Sequence, residues 1–396
     1  MATDLVLPGN DETIHLQQQV VRLQALLEAA RQVHSTVDEG EVLETVLRIV
    51  VRELEMAGAA FPAAGLRYGE FPPLEKQKPA WSDPAAPSLP AYKLLDRDGQ
   101  LLEELLIAPP EGRELSLYEA DFIEGLVLQA AVALENARNH QRNLAYARLQ
   151  QDLEAARQIQ RSLLPQHLPE LPGFSVAFRS EACYEVGGDY LDTFLLPDGS
   201  LLLAVADVAG KGITSAIMST SFRSAFRAMA AAVPQLDELA TRMNRHHWRE
   251  GVEARRRYVT AIFVRLYPHD HRIEVVNAGH NPGFLLRPGQ DPVQLDASGT
   301  PLGLLPQMSY SSQRLDFPPG ARLLLYTDGL TEAYNGDEEF GPERLLEHFS
   351  GCMELCSDAI LDALWKAIAE FAAGSPQSDD MTALALCHTG PMEKAQ

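Results

Sequence analysis

From Ile14 to about Val33, apolar residues recur at Val20, Leu23, Leu27 and Ala30, the spacing that lays one stripe along a helix. Asp38 with Glu41 three residues on gives a capping-box start for a second helix reaching about Leu54. Residues 61–90 are rich in Pro, Ala and Gly and break the periodicity; strand-like "YKLL" and "ELLIA" follow. Ser116 and Glu119 then cap a helix, "FIEGLVLQAAVALENAR", that runs on past the first domain. Beyond Asn136, Leu149, Leu153, Ala156, Gln160 and Leu163 alternate steps of four and three as a coiled-coil seam does, until Pro165 stops the helix. This stripe either pairs with a second copy, the favoured reading, or docks on its own domain.

After Gly173 the period changes. "FSVAFRS", "YLDTFLL", "LLLAVADV", "YVTAIFVRLY", "RIEVVNAG", "GFLLRP", "RLLLYTDG" and "MTALALC" are short β-branched or leucine-rich runs that predict strands. Helical stretches lie at about 213–232, 235–249, 342–349 and 357–373. Strands in groups, without strict βα alternation, predict an α+β fold of packed layers rather than a doubly wound parallel sheet.

A chain of 396 residues suits two domains and a connector. The net charge of −22 excludes a nucleic-acid-binding surface, which needs clustered Lys and Arg, and favours cationic partners or metal ions. Cys183, Cys352, Cys356 and Cys387 form no CxxC pair, so neither a disulfide framework nor a zinc site is expected, and Cys352 and Cys356 are read as packed apolar residues. The first residues carry no basic-then-apolar leader and no apolar run is long enough to span a bilayer, so a cytoplasmic location without membrane attachment is expected.

Four apolar runs in the second half are bordered by acid, the first three with glycine beside it: "VGGDY" (Asp189), "AVADVAGKG" (Asp207), "LLYTDGLTE" (Asp328) and "SDDMTAL" (Asp379, Asp380). An Asp before Gly is an ordinary turn residue, but turns do not require four such apolar approaches. Carboxylates gathered out of water repel one another and take up protons unless a cation compensates them, so the cluster implies metal. All-oxygen ligation selects hard ions such as Mg²⁺ or Mn²⁺. Gly187 and Gly188 are read as letting the backbone turn beside Asp189, and "DVAGKG" as exposing the Val208 carbonyl to an ion. Two such ions a few ångströms apart would support hydrolysis of a phosphoester without a covalent nucleophile.

In this order, "EVGGDYLD", "VADVAGKG", "VNAGHNP", "GTPLGLLP", "LYTDGLTEA" and "SDDMTALAL" resemble the SpoIIE/RsbU-type branch of the metal-dependent (PPM, type 2C-like) serine/threonine phosphatases. The resemblance spans roughly residues 150–390, from "ARQIQRSLLP" onward. It implies a β-sandwich flanked by helices (α-β-β-α) and a site for two Mn²⁺ or Mg²⁺ ions held by Asp189, Asp207, the Val208 carbonyl, Asp328 and Asp379, with Asp380 as the companion of Asp379. It also implies a phosphorylated anti-anti-sigma (STAS) protein as substrate. Larger type 2C phosphatases carry a His just after the second metal Asp, where this chain has Ala209. The N-terminal part resembles a GAF sensory domain, chiefly through "LVLQAAVALENAR", and no Cys before residue 183 could tether a chromophore. The expected organisation is a GAF-like α/β sensor at 14–140, a helical linker at 136–165 that makes a homodimer, and a phosphatase domain at 166–390.

Other residues are read more plainly. Lys211 is taken as a solvated loop lysine, His280 as a turn-ordering residue, and the basic run Arg255–Arg257 as a solvated strand entry outside the site. Asp192 stays open between a supporting partner of the site and a strand-face carboxylate. "GGDY" and "NGDEEFG" (335–341) approximate the GGDEF loop of diguanylate cyclases, but the first lacks the acidic fourth residue and the second has one glycine, not two, before its acidic run. A scaffold that keeps the fold without the chemistry is the non-enzymatic alternative.

Overall fold

A computed structural model describes residues 10–71 and 89–390. Residues 72–88, the greater part of the Pro-rich stretch, lie outside the described residues. The chain divides into two compact units, Met1–Gln150 and Gln151–Gln396.

In the first unit, α1 (Asn10–Val33) and α2 (Glu39–Glu53) precede β1 (Gly58–Phe61), β2 (Leu66–Gly69), β3 (Ala91–Leu95) and β4 (Leu101–Ala108), and α3 spans Leu117–Leu163. The strands form one antiparallel sheet in the order β2-β1-β4-β3. Val42, Val46 and Val50 of α2, Leu105 and Ile107 of β4, and Phe122, Leu126 and Leu134 of α3 share its core. Both expected caps are present: the Asp38 carboxylate accepts from the Glu41 N–H, and Ser116 and Glu119 bond reciprocally. The stripe expected on α1 is displaced by one residue. Val20, Leu23 and Leu27 are exposed, and it is Leu26, Ala29 and Val33 that pack inward.

The second unit is a four-layer sandwich. Its strands are β5 (Phe174–Glu181), β6 (Tyr190–Leu195), β7 (Leu201–Val208), β8 (Val259–Tyr267), β9 (Arg272–Ala278), β10 (Gly283–Leu286), β11 (Val293–Leu295), β12 (Gln313–Asp316), β13 (Arg322–Tyr326), the two-residue pair β14 (Tyr334–Asn335) and β15 (Glu338–Glu339), and β16 (Met381–His388). Its helices are α4 (Ile213–Ala230), α5 (Leu236–Arg249), the short α6 (Val252–Arg256), α7 (Gly341–Ser350) and α8 (Ser357–Ala372). One five-stranded sheet runs β11-β10-β13-β16-β5 and the other β12-β9-β8-β7-β6, with antiparallel neighbours throughout.

Period-two alternation builds the layers. Leu201, Leu203 and Val205 of β7 meet Leu384 and Leu386 of β16 in the core between the sheets. The intervening Leu202, Ala204 and Ala206 pack with Phe222 and Phe226 of α4 and Leu239 of α5. On the far side, Ala383, Ala385 and Cys387 pack with Leu345 of α7 and Leu361 and Leu364 of α8. Cys352 is buried there as expected, whereas Cys356 is exposed at the start of α8. "NGDEEFG" is the hairpin joining β14 to β15, its tight turn made by Gly336 (φ 63°) and Asp337, which accounts for its glycine without nucleotide chemistry.

Candidate functional site

Antiparallel register decides which strand ends meet. Pairing Tyr190 with Ala206 brings the residue before β6, Asp189, to the end of β7, where Asp207 stands. Pairing Tyr326 with Ala383 does the same for Asp328, after β13, and Asp379 and Asp380, before β16. All five carboxylates therefore collect at one end of the two sheets.

Their electrostatics show the crowding. Burial, then repulsion from Asp207 and Asp380, pushes the Asp189 carboxyl well above the usual carboxylate range, against hydrogen bonds from Thr382 and Thr327. Burial, then Asp328, Asp379 and Asp380, pushes Asp207 up to about 7. Burial and Asp379 raise Asp328, and the same two neighbours add to the burial that raises Glu332. A buried carboxyl beside other carboxylates holds its proton unless a cation replaces it.

The supports are specific. Thr327 donates its hydroxyl to Asp189 Oδ2 at 2.8 Å. The Asp380 carboxylate accepts from the Gly188 N–H at 2.6 Å and the Cys183 N–H at 2.8 Å, so it ties together the loop before Asp189. Lys211 is not merely solvated: its ammonium meets Asp379 Oδ2 at 2.8 Å and donates to the Ser378 carbonyl at 2.7 Å. Asp192 is fully buried and takes a two-pronged bond from Arg227 (2.6 and 2.7 Å) and one from the Tyr190 hydroxyl (2.7 Å), which makes it a clamp between β6 and α4. His280 is buried, with Nδ1 2.8 Å from the Thr260 hydroxyl and its backbone N–H bonded to Asn277, and burial lowers it to about 4.

The glycines serve close approach rather than turning. Neither Gly187 nor Gly188 has positive φ. A Cβ on Gly187 would stand 2.4 Å from Asp380 Oδ2, and one on Gly188 would stand 3.0 Å from the Val208 carbonyl oxygen and 3.3 Å from Asp207 Oδ1. The Val208 carbonyl and the Asp207 carboxylate thus face the Gly188 backbone.

Two contacts went unread in the sequence. Gln160 of α3 pairs with the backbone of Gly187 in both directions, accepting from its N–H at 3.1 Å and donating to its carbonyl at 2.7 Å. The one signal was a polar side chain at an otherwise apolar seam position. The second is Arg257, whose guanidinium lies on the Asp207 loop and donates to the Ala209 carbonyl at 3.3 Å, whereas the basic run reads in the sequence as a solvated strand entry outside the site.

An oxygen-only donor set with raised carboxyls fits a hard divalent cation and no soft one. Among the described residues, no three acidic, His or Cys side chains already converge as a closed cage. Asp380 is turned to backbone N–H groups and Asp379 to Lys211, so a bound ion would compete with Lys211 for Asp379.

A helix-flanked double sandwich with carboxylates at one end defines a PP2C-type phosphatase fold. The SiaA-PP2C domain of Pseudomonas aeruginosa shares it with TM-score 0.54 at 22% identity, over 61% of this chain and 97% of that one. Residues 197–389 match the family described as stage II sporulation protein E (SpoIIE). Protein IcfG of Synechocystis sp. is 28% identical over 261 residues, 59% of this chain and 41% of that protein. The phosphoserine phosphatases RsbP and RsbU of Bacillus subtilis are 28% and 24% identical, over 46% and 62% of this chain and 45% and 71% of their own lengths. The match thus spans less than half of IcfG and of RsbP. The C-terminal unit is thus similar to the SpoIIE/RsbU-type branch of the PPM phosphatases.

Proposed function

We propose that this protein is a metal-dependent phosphatase that hydrolyses phosphoserine or phosphothreonine in a protein substrate. The observation that carries the reading is the set of carboxylates at one sandwich end, of which Asp189, Asp207 and Asp328 are raised by burial and then by their acidic neighbours. Asp189, Asp207, the Val208 carbonyl, Asp328 and Asp379 would hold two Mn²⁺ or Mg²⁺ ions. When bound, such ions supply an activated water and stabilise charge on the phosphoryl group. The chain's own groups position that chemistry: Thr327 fixes Asp189, and Asp380 holds the Gly188 loop. Ala209 offers no imidazole to protonate the leaving alkoxide, which fits slow turnover.

The substrate proposed is a phosphorylated anti-anti-sigma (STAS) protein in a partner-switching pathway of the cytoplasm. The first unit is read as a GAF-like sensor that acts through α3, with a homodimer formed along that helix. Among the described residues no helix is long and apolar enough to cross a membrane.

The test is phosphate release from a phosphoserine STAS protein with and without Mn²⁺ or Mg²⁺. Release should require the metal, and Asp328→Asn should lower it by at least about a hundredfold, since a lost ligand removes electrostatic stabilisation of several kcal/mol. Full activity in that variant sinks the site assignment, and substrate binding without any release by the wild type identifies a scaffold.

A further inference from the structure

The three adjacent arginines at 255–257 have three separate partners. Arg255 stacks over the Trp248 ring at 4.6 Å and donates to the Trp248 carbonyl. Arg256 pairs with Glu253 in solvent. Arg257 turns the other way, and its Nη1 rests on the loop that leaves Asp207.

That placement is built rather than incidental. Gly210 has φ 101°, and a Cβ there would stand 2.2 Å from Arg257 Nη1, so the guanidinium occupies the room a side chain would take. The Arg257 backbone is fixed from behind: its N–H donates to the Ala254 carbonyl, and the buried His247 places Nε2 2.8 Å from its carbonyl. Gly303 packs against the same imidazole, where a Cβ would meet it at 2.2 Å.

Charge then separates the two cations of this loop. Lys211 is neutralised by Asp379, whereas Arg257 has no carboxylate partner among the described residues and meets only a carbonyl. An incoming phosphoprotein is anionic, and a guanidinium beside Ala209 with no carboxylate to neutralise it is placed to receive one of its oxygens. Arginine stays protonated and cannot supply the proton that the missing histidine would.

We propose that Arg257 is a substrate-binding residue that takes an anionic oxygen of the phosphoprotein beside the Asp207 loop. The oxygen belongs to the phosphoryl group or to a carboxylate next to it in the substrate. This rests on the phosphatase reading for the identity of the ligand, and its test needs no turnover.

The probe is a peptide carrying a non-hydrolysable phosphonate analogue of phosphoserine flanked by glutamates, titrated calorimetrically into the full chain with Mn²⁺ present. Arg257→Gln should weaken binding about tenfold or more, the range of a lost charge-assisted hydrogen bond. Arg257→Lys, which keeps charge but loses the planar fork and disturbs folding least, should fall between. Arg256→Gln removes the same charge one residue away and should leave the affinity unchanged. Replacing the flanking glutamates by glutamine identifies the source: a persisting Arg257 effect assigns the phosphoryl oxygen, and a vanishing one the carboxylate. Wild-type affinity in both Arg257 variants, equal loss in Arg256→Gln, or no binding by the wild type overturns the proposal. Wild-type binding with Arg257 dependence but no phosphate release leaves it standing and sinks the phosphatase reading alone.

Discussion

At the scale of single residues, the acid cluster couples protonation to stability. The Asp207 carboxyl is raised to about 7 in the folded metal-free chain from an ordinary value of 3.8, chiefly by burial and then by its acidic neighbours. Between those values the folded state keeps a proton that the unfolded state has released, so stability falls as pH rises from about 4 to about 7 and then levels off. A bound divalent ion needs the deprotonated form and reverses the trend. Melting in EDTA should therefore decline from pH 5.5 to pH 8 more steeply in wild type than in Asp207→Asn, while the gain in melting temperature on adding Mn²⁺ should be larger at pH 8. Parallel pH slopes for the two proteins in EDTA would contradict this. The aspartates were legible in the sequence because each borders an apolar run. Their supports were not: Asp380 as a loop tie, Lys211 on Asp379 and Arg257 on Ala209 join residues far apart in the chain, and no local spacing encodes such pairs.

At the scale of elements, helices and long strands were legible and short edges were not. The stretch expected at 357–373 is α8, Ser357–Ala372, and the run "LLLAVADV" is β7 residue for residue. The strands β1 and β2 are four residues each, and β1 is buried on both faces, so it shows no alternation to read. The edge strands β11 and β12 are as brief. Gln160 shows how a helix reaches the site: its amide satisfies both the N–H and the carbonyl of Gly187, and Gly188, the next residue, is held by Asp380. Two neutral hydrogen bonds are worth about 1–2 kcal/mol together. Gln160→Leu should consequently raise the Mn²⁺ concentration for half-maximal phosphatase rate by up to about tenfold, with a smaller effect on the rate at saturating metal. Superimposed metal titrations would show that α3 does not position this loop.

At the scale of the whole molecule, α3 belongs to both units in sequence. Its 47 residues extend about 70 Å at 1.5 Å per residue, and residues 141–150 are all exposed, Leu144 and Leu149 among them. Ala156 of the expected seam is exposed too and Leu153 half-buried, whereas Gln160 of the same seam is bonded to Gly187. An exposed helix with a leucine stripe gains most by pairing with another copy of itself. The full chain should therefore sediment as a dimer, and Leu149→Glu with Leu153→Glu as a monomer. If input from the first unit travels along this helix to Gln160, deleting residues 1–140 should change the metal-saturated phosphatase rate, and the double substitution should change it in the same direction. An unchanged rate on deletion would leave the first unit without a regulatory role in catalysis, while a dimer that survives both glutamates would move the self-association to another surface.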